Sequence, residues 1–272
     1  MSGGTAIAVL GLGEAGSLLA RDLVDAGADV RGFDPRVEVP RGVTARMDDA
    51  DAVRDADVVL SVTSAHDAVD ALTSALPQLR QGAVWADLNT TSPALKQRLA
   101  ALVGSRADVV DVALMSPVPG RGLRTPMVAS GAAAQRFAEI LVPLGAQVQV
   151  LPGPVGTAIS RKLLRSVFYK GLAAAVVEAL TAARAAGCED WLRQNIADEL
   201  AGFDASTIDR LVDGSTRHAR RRAEEMAASA EQLRELGVTP RVASAAHDLL
   251  AELAAVPGDL PVGTDGGARP QG

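Results

Sequence analysis

The stretch IAVLGLGEAGSLLARDL, residues 7 to 23, decides the fold of this chain. An apolar run that ends at Leu10 is typical of a buried strand, and apolar residues then recur every three or four positions, as on one face of a helix. Between strand and helix stand three glycines in the pattern G-x-G-x-x-G: Gly11, Gly13 and Gly16. A strand, a tight turn and a helix in this order are the context in which that pattern binds the phosphates of a dinucleotide.

Each glycine of this loop has a separate reason to lack a side chain. Gly11 allows the sharp turn, Gly13 lets the backbone approach a pyrophosphate, and Gly16 lets the helix pack closely on the strand. The N-terminus of the helix then offers N–H groups and the positive end of its dipole to the phosphates. We therefore predict a cofactor-binding loop made of Gly11, Leu12, Gly13, Glu14, Ala15 and Gly16.

An acidic residue at the end of the next apolar run strengthens this prediction. Asp34 ends the segment VRGFD, 21 residues after Gly13, where a carboxylate can hold the ribose hydroxyls of adenosine. A carboxylate repels the 2′-phosphate of NADP, so Asp34 favours NAD as the cofactor. Arg36, two residues later, leaves NADP as a possible alternative cofactor.

Composition and charge exclude several other classes of partner. The chain carries a formal net charge of −6, so neither nucleic acid nor an anionic membrane surface would attract it as a whole. No apolar stretch approaches the roughly 20 residues of a membrane span. The three histidines lack metal-ligand spacing, so we predict no metal site. Cys188 is the only cysteine and no signal segment begins the sequence, so we expect a cytoplasmic protein that acts on a small molecule.

The period of the apolar pattern changes along the chain and predicts two domains. Apolar, β-branched runs alternate with helical stretches in the first half, and strands joined through helices run parallel in a sheet that is covered on both faces. Strand-like runs are absent after the segment PGPVG at 152 to 156. We therefore predict the α/β class, with a Rossmann doubly wound parallel sheet over 1–152, an all-α domain over 153–256 and a disordered tail over 257–272.

The all-α domain is predicted to begin with a long helix over residues 155 to 186. Lys162, Arg165, Ser166 and Tyr169 stand at i, i+3, i+4 and i+7, which puts all four on one helix face. The alanine-rich second half of the helix offers more apolar surface than one small domain covers, so we expect a homodimer through this domain. Further helices are predicted over 189–200, 206–235 and 242–253.

Four segments carry a resemblance to a known family: GLGEAG at 11–16, DVVLSVT at 57–63, ADLNTTSP at 86–93 and the lysine-bearing helix after residue 155. Together they resemble the β-hydroxyacid dehydrogenases, which include 6-phosphogluconate and 3-hydroxyisobutyrate dehydrogenases and have imine reductases as relatives. The second half is similar to a branch with a C-terminal domain of unknown function. The resemblance implies a cleft between a Rossmann domain and an all-α domain, and dimers through the α domain.

The same resemblance assigns roles on the long helix. Lys162 matches the catalytic lysine of the pattern K-x-x-N-N, with Arg165 and Ser166 in place of the two amides. Lys162 would exchange a proton with the substrate oxygen, Arg165 would bind an anionic or carbonyl group, and Ser166 could donate to the substrate oxygen. Tyr169 is an alternative proton donor. A surface lysine without a catalytic role remains the alternative for Lys162.

Two further segments supply cofactor residues by resemblance. Ser61, Val62 and Thr63 end a strand that passes beside the cofactor in the family. Thr90 matches the threonine of the pattern D-x-S-T-x-x-P, near the nicotinamide ribose, and Asn89 replaces the usual serine. A strand-end turn and a helix cap would also explain these residues, and both interpretations can hold together.

The predicted substrate residues lie in the loop after the next strand. The family pattern D-x-P-V-S-G-G falls on DVALMSP at 111–117, so Met115 stands in place of the substrate-binding serine and Ser116 in place of the first glycine. Arg121, with Arg124, follows in a loop where it could bind a carboxylate or a phosphate, although a solvated loop is an equal alternative.

These features predict an NAD(P)-dependent oxidoreductase that transfers a hydride between nicotinamide and a small, anionic hydroxy acid or a related alcohol. Reduction of a C=N bond is the nearest alternative. A non-catalytic dinucleotide-binding sensor or partner-binding protein is the alternative from another class, favoured by the loss of the paired asparagines after Lys162.

Overall fold

The computed structural model describes residues 5 to 255, and the predicted tail over 257–272 lies outside them. The strands in this range are β1 (Ala6–Leu10), β2 (Asp29–Phe33), β3 (Thr44–Ala45), β4 (Val58–Ser61), β5 (Val84–Asp87), β6 (Asp108–Leu114), β7 (Met127–Ser130) and β8 (Val148–Val150). The helices are α1 (Glu14–Asp25), α2 (Asp49–Val53), α3 (Ala68–Ala75), α4 (Pro93–Val103), α5 (Ala134–Leu141), α6 (Thr157–Ala185), α7 (Glu189–Ala201), α8 (Ser206–Arg217), α9 (Ala219–Glu235) and α10 (Arg241–Ala255).

The described strands form one sheet in the order β3-β2-β1-β4-β5-β6-β7-β8. Neighbouring strands are parallel except β6 and β7, which are antiparallel. The reversal follows from the connection, because residues 115–126 hold only a short 3-10 turn at Gly122–Arg124 and no crossover helix. The predicted Rossmann sheet is thus confirmed, with its last two strands reversed.

Successive residues of β1 face opposite layers of the core, as a doubly wound sheet requires. Ile7 and Val9 pack in the layer that α1 and α5 cover, whereas Ala8 and Leu10 pack in the layer of α2, α3 and α4. Because β2 lies on one side of β1 and β4 on the other, the chain changes direction at β1. A crevice for a ligand opens at the carboxyl ends of the strands at such a point.

Two short elements, β3 and α2, escape the sequence prediction. Strand β3 has two residues, which is too short for an alternating pattern to show. Helix α2 has five residues, and its N-terminus is capped by Asp48, whose side chain accepts a hydrogen bond from Asp51 N. This cap stabilises a helix that is too short to display helical periodicity.

The chain divides into two compact units, residues 1–166 and 167–272. Helix α6 continues through the division, whereas the domain boundary predicted after residue 152 precedes this helix. The helix predicted over 206–235 is wrong as a single element, because His218 leaves helical geometry with φ −116° and ψ 24° and separates α8 from α9. No helix in the described part of the chain is long and apolar enough to cross a membrane.

Candidate active site

The glycine loop joins β1 to α1 through a tight backbone turn. Gly11 has φ +89°, and a Cβ atom there would lie 2.5 Å from the carbonyl oxygen of Val62. A Cβ atom on Gly16 would overlap the carbonyl oxygen of Gly11, whereas one on Gly13 would meet nothing within 4 Å. Gly11 and Gly16 are therefore required by packing, and Gly13 leaves open space at the start of the helix.

The start of α1 has the features of a phosphate site. Helix α1 begins at Glu14, and no side chain caps its N-terminus, so its first N–H groups and the positive end of its dipole are available to an anion. Ala15 follows in the first turn. Leu12 is buried, so what it offers the loop is its backbone rather than its side chain.

Asp34 ties the glycine loop to the turn after β2. Its Oδ2 accepts a hydrogen bond from Leu12 N at 2.7 Å, and its Oδ1 accepts from Arg36 N at 2.8 Å and from Val37 N at 3.1 Å. The carboxylate is thus held in place by three backbone donors. It stands beside the loop, as expected of the acidic residue that binds the ribose.

A cleft of about 680 Å³ lies over these residues. Its lining includes six of the predicted cofactor residues: Gly11, Gly13, Asp34, Arg36, Val62 and Thr63. The volume, the bare glycine loop and the uncapped helix fit a dinucleotide. When NAD(P) binds, the glycine loop would hold the pyrophosphate and Asp34 the adenosine ribose.

The cleft also contains three acidic residues that the sequence pattern does not identify: Asp49, Asp67 and Asp70. Burial raises the pKa of Asp49 to about 6, with an opposing hydrogen bond from Ser74 and further upward contributions from nearby carboxylates. The pKa of Asp67 is lowered by hydrogen bonds from Ser64 and from Arg36. Arg36 therefore pairs with a carboxylate of the protein itself.

A path of polar contacts leads from this cleft to Lys162. Thr63 Oγ1 donates to Asn89 Oδ1 at 3.4 Å, and Thr90 follows Asn89 in the chain. Lys162 Nζ donates to Thr90 Oγ1 at 2.8 Å. Two residues predicted separately from two distant motifs are thereby brought together, since α6 begins at the same edge of the sheet at which β5 ends.

The predicted substrate residues next to Lys162 also lie together. Arg165 donates from one terminal nitrogen to the carbonyl oxygen of Met115 at 2.9 Å. Ser116 Oγ is shielded from solvent and has no hydrogen-bond partner among the described residues. Ser166 is half-buried one turn after Lys162. Tyr169 lies two turns after Lys162 on the same helix, in the second unit, where its ring stacks edge-on against Phe168.

Two predicted site residues occupy other surroundings. Ser61 is buried, and its hydroxyl accepts a hydrogen bond from Asn89 Nδ2 at 3.1 Å. Arg121 is exposed in a small polar pocket of about 410 Å³ together with Arg124 and Gln147. This pocket is separate from the cleft over the glycine loop, and the role of Arg121 in substrate binding stays a prediction.

Comparison with known proteins identifies the family. A family model described as the NAD binding domain of 6-phosphogluconate dehydrogenase matches residues 6–150, more than half of the chain. The chain belongs to this family. A second model, described as a domain of unknown function (DUF1932), matches residues 183–253. The resemblance read from the sequence is confirmed, and the cofactor class is NAD(P).

Individual relatives agree with this membership. A Mycobacterium bovis protein named probable 3-hydroxyisobutyrate dehydrogenase is 26% identical over 208 residues, which are 73% of this chain and 69% of the relative. A solved structure of a conserved protein of unknown function, described as similar to 3-hydroxyacid dehydrogenases, is 30% identical with a TM-score of 0.61, over 92% of this chain and 98% of that one.

A third relative shows the fold alone. A reductive aminase from Aspergillus terreus, solved with NADPH4, cyclohexanone and allyl amine, has a TM-score of 0.76 at 16% identity. The match covers 92% of this chain and 94% of that one.

Proposed function

We propose that this chain is an NAD(P)-dependent oxidoreductase that transfers a hydride between nicotinamide and a small hydroxy acid or related alcohol, with Lys162 as the proton-transfer group. The observation that carries the proposal is the 2.8 Å contact of Lys162 Nζ with Thr90 Oγ1. It is linked to the lining of the cofactor cleft through Asn89 and Thr63. These contacts support a position for Lys162 beside both the cofactor and a small substrate.

The residues of the site divide the chemical work. When bound, the nicotinamide supplies or accepts the hydride. Lys162 moves a proton at Nζ to or from the substrate oxygen, because an alcohol must lose its hydroxyl proton as its carbon loses hydride. Thr90 accepts a hydrogen bond from Nζ and so directs the remaining N–H bonds of the ammonium. Ser166, one helical turn away, supplies a hydroxyl donor on the same face.

The substrate class follows from Arg165 and the segment beside it. A guanidinium held next to the Met115 carbonyl is suited to a carboxylate, which it can bind through two parallel hydrogen bonds. The Mycobacterium bovis relative is named for a hydroxy acid substrate. We therefore propose a small anionic substrate and a preference for NAD over NADP.

Reduction of a C=N bond is the second candidate. Met115 replaces the serine that the β-hydroxyacid dehydrogenase pattern places in the substrate loop, which removes a hydroxyl that would bind a carboxylate. The neighbour of the same fold described as a reductive aminase was solved with a ketone and an amine. Amines and cyclic imines therefore belong in the substrate screen.

A homodimer completes the proposal for the second unit. Its exposed large apolar side chains on α6, α7 and α8 include Val167, Val177, Trp191 and Ile208. Exposed large apolar side chains on several helices are typical of a protein interface. We propose that a second copy of the chain covers it.

Replacing Lys162 by methionine tests the catalytic assignment. We expect kcat to fall roughly 10²-fold or more, the usual contribution of a positioned acid or base, while the cofactor dissociation constant stays unchanged, since Gly11 to Gly16 and Asp34 are elsewhere. Absorbance of the reduced nicotinamide over hydroxy acids, alcohols and amines measures turnover. Lys170→Met, a loss of the same charge on the same helix, is the matched control.

Tyr169→Phe separates the two proton donors. If it abolishes turnover while Lys162→Met leaves kcat within about threefold of the wild type, the tyrosine is the donor and the assignment of Lys162 is wrong. If cofactor binds but no substrate of the screen is turned over, the non-catalytic sensor is favoured instead.

A further inference from the structure

A fully buried lysine lies beneath the candidate site. The side chain of Lys96, on α4, is 0% exposed. Its Nζ donates to the carbonyl oxygen of Asp87 at 2.6 Å and lies 3.1 Å from Asp87 Oδ2 and 3.2 Å from Asp111 Oδ1. Three acceptors thus surround a group with three N–H bonds. Lysine is almost never fully buried without such partners.

Lysine is rare in this chain compared with arginine. Of the 27 lysine and arginine residues, only Lys96, Lys162 and Lys170 are lysine. An ammonium is a compact point charge with three donors, which suits three converging oxygens better than the planar fork of a guanidinium does. The sequence signal is the position of Lys96 on the face of α4 that also buries Leu99 and Val103.

One arm of the network holds Thr90. Asp87 Oδ1 accepts hydrogen bonds from Asn89 N at 3.1 Å and Asn89 Nδ2 at 2.6 Å. The Asn89 amide reaches on to Ser61 Oγ. Lys96 binds both the carboxylate and the carbonyl oxygen of Asp87, so it fixes the segment from which Thr90 projects.

The other arm holds the start of α6. Asp111 Oδ2 accepts hydrogen bonds from Gly156 N at 3.1 Å and Ile159 N at 2.9 Å. Ser130 Oγ accepts from Ala158 N at 2.9 Å and lies 3.5 Å from Asp111 Oδ2. These contacts satisfy N–H groups of the first turn of the helix. Lys162 comes three residues after Ile159.

We propose that Lys96 is a positioning residue that sets the contact between Lys162 and Thr90. Among residues 5 to 255 it is the cation that joins the carboxylate under Thr90 to the carboxylate that caps the helix of Lys162. The facing oxygens of Asp87 and Asp111 accept no hydrogen bond from another described group. Without the ammonium, two buried carboxylates would repel each other and both arms would shift.

The inference rests on the proposed role of Lys162, but its test does not depend on activity. Protein labelled with carbon-13 only at the Cε atom of lysine has three side-chain signals, one for each lysine. Lys162→Arg and Lys170→Arg assign them. In Lys96→Met we expect the Lys162 signal to move or broaden and the Lys170 signal to stay in place.

Leu99→Ala is the matched structural control. Leu99 is buried on the same face of α4 in an apolar cluster, and its side chain has no atom that could hydrogen-bond to the network, so its truncation lowers the melting temperature through a cavity. We expect the Lys162 signal to stay at its wild-type position in this variant. An equal change of the signal in both variants would show that Lys96 acts only through general stability and would overturn the proposal.

Kinetics give a second readout in the holoenzyme. Lys96→Met should keep the cofactor dissociation constant within about threefold and lower kcat between about tenfold and 10²-fold, because a small misplacement of a catalytic group is costly. The pH profile of kcat should shift, whereas Leu99→Ala should leave it unchanged. An unmoved Lys162 signal with an unchanged kcat would refute the positioning role.

The test must still work if Lys96→Met does not fold, and it must distinguish failure of the positioning role from failure of the proposed function. If Lys96→Met does not fold, Lys96→Met combined with Asp111→Asn removes one charge of each sign and keeps an oxygen for the helix N–H groups. That variant relieves the repulsion between the two carboxylates and leaves only the loss of the ammonium that joins the two arms, so a wild-type Lys162 signal in it would refute the proposed joint. If Lys162 proves not to be catalytic, the signal still reports the positioning, so the failure of either proposal is recognised by itself.

Discussion

The two compact units bury their apolar side chains to very different degrees. The first unit (1–166) fully buries large side chains in both layers of its sheet, with Trp85 and Phe137 among them. In the described part of the second unit the buried hydrophobic side chains are all alanine, while Trp191 and Ile208 are 67% and 68% exposed. The first unit has a core of its own, and the second needs another surface to cover its apolar faces.

The two units place their apolar residues differently, and this difference bears on what each unit does. The first unit uses its strands to build a core and its strand ends to hold polar groups, which is why the cleft and Lys162 with its partners belong to it. The second unit exposes its large apolar side chains, and the proposed dimer would cover them. Stability and cofactor binding therefore depend mainly on the first unit, and the proposed dimer depends on the second.

Breaking the proposed dimer should have the largest effect. With Trp191→Glu and Ile208→Glu combined, two charges would have to be desolvated in an apolar interface. We expect the dimer dissociation constant to rise at least about 10³-fold, or about 4 kcal/mol. Sedimentation velocity over a range of concentrations measures it.

The matched control lies in the first unit. Met47 is 84% exposed there, and Met47→Glu should leave the dimer intact because this unit already buries its core. A wild type that scatters light as a monomer near 27.9 kDa at every concentration would remove the contrast between the units.

Cofactor selectivity gives the second effect, in the first unit alone. Asp34→Ser removes a carboxylate that repels a 2′-phosphate, so the preference for NADH over NADPH should narrow about tenfold, which corresponds to about 1.4 kcal/mol. The substitution also frees the backbone N–H groups that Asp34 binds. That loss weakens both cofactors alike, and the ratio of dissociation constants isolates the effect of charge.

Fluorescence titration with both reduced cofactors provides the ratio. Asp70→Ser is the control, since Asp70 also lines the cleft but is exposed on α3, and we expect its ratio to change less than about threefold. A wild type that binds NADPH more tightly than NADH would contradict the assignment of Asp34.

Local signals explain which parts of the fold the sequence predicts. The glycine loop and Asp34 are visible because glycine spacing and strand ends are read within about thirty residues. The two residues of β3 and the five of α2 are too short for any period to appear. The break at His218 is missed, although the poor helix formers Gly214, Ser215 and Thr216 precede it.

The sequence predicts the individual residues of the site that belong to local motifs, but not the contacts between them. Lys162 and Thr90 are each found by motif, but their contact requires the folded sheet. The network under them joins Asp87, Lys96 and Asp111 with the start of α6, and no spacing along the chain records that arrangement. Both aspartates stand inside motifs that were identified, yet their role appears only when Lys96 is seen to be buried between them.

The smallest expected effect comes from Asp49. It tests whether the acidic residues that line the cleft destabilise the first unit. Burial raises the pKa of Asp49 from 3.8 to about 6, so the folded chain holds this proton more tightly than the unfolded chain. The contribution of Asp49 to stability is therefore fully present below about pH 4, decreases as the pH rises, and is lost above about pH 6. Asp49→Asn removes the charge and should raise the free energy of unfolding at neutral and alkaline pH.

The size of this gain in the free energy of unfolding, and its dependence on pH, show whether the charge of Asp49 destabilises the fold. Asp49 is only half-buried, so solvent screening limits the gain to about 1 kcal/mol or less at about pH 8, and the gain should roughly halve at about pH 5 as the wild-type carboxyl takes up its proton. Urea denaturation at the two pH values measures it, with Asp70→Asn as the exposed control that changes stability little at either. A gain that is larger at the lower pH has the wrong sign for a buried carboxylate. It would mean that the acids of the cleft do not destabilise the unit that carries them, and that its stability and its cofactor site are independent.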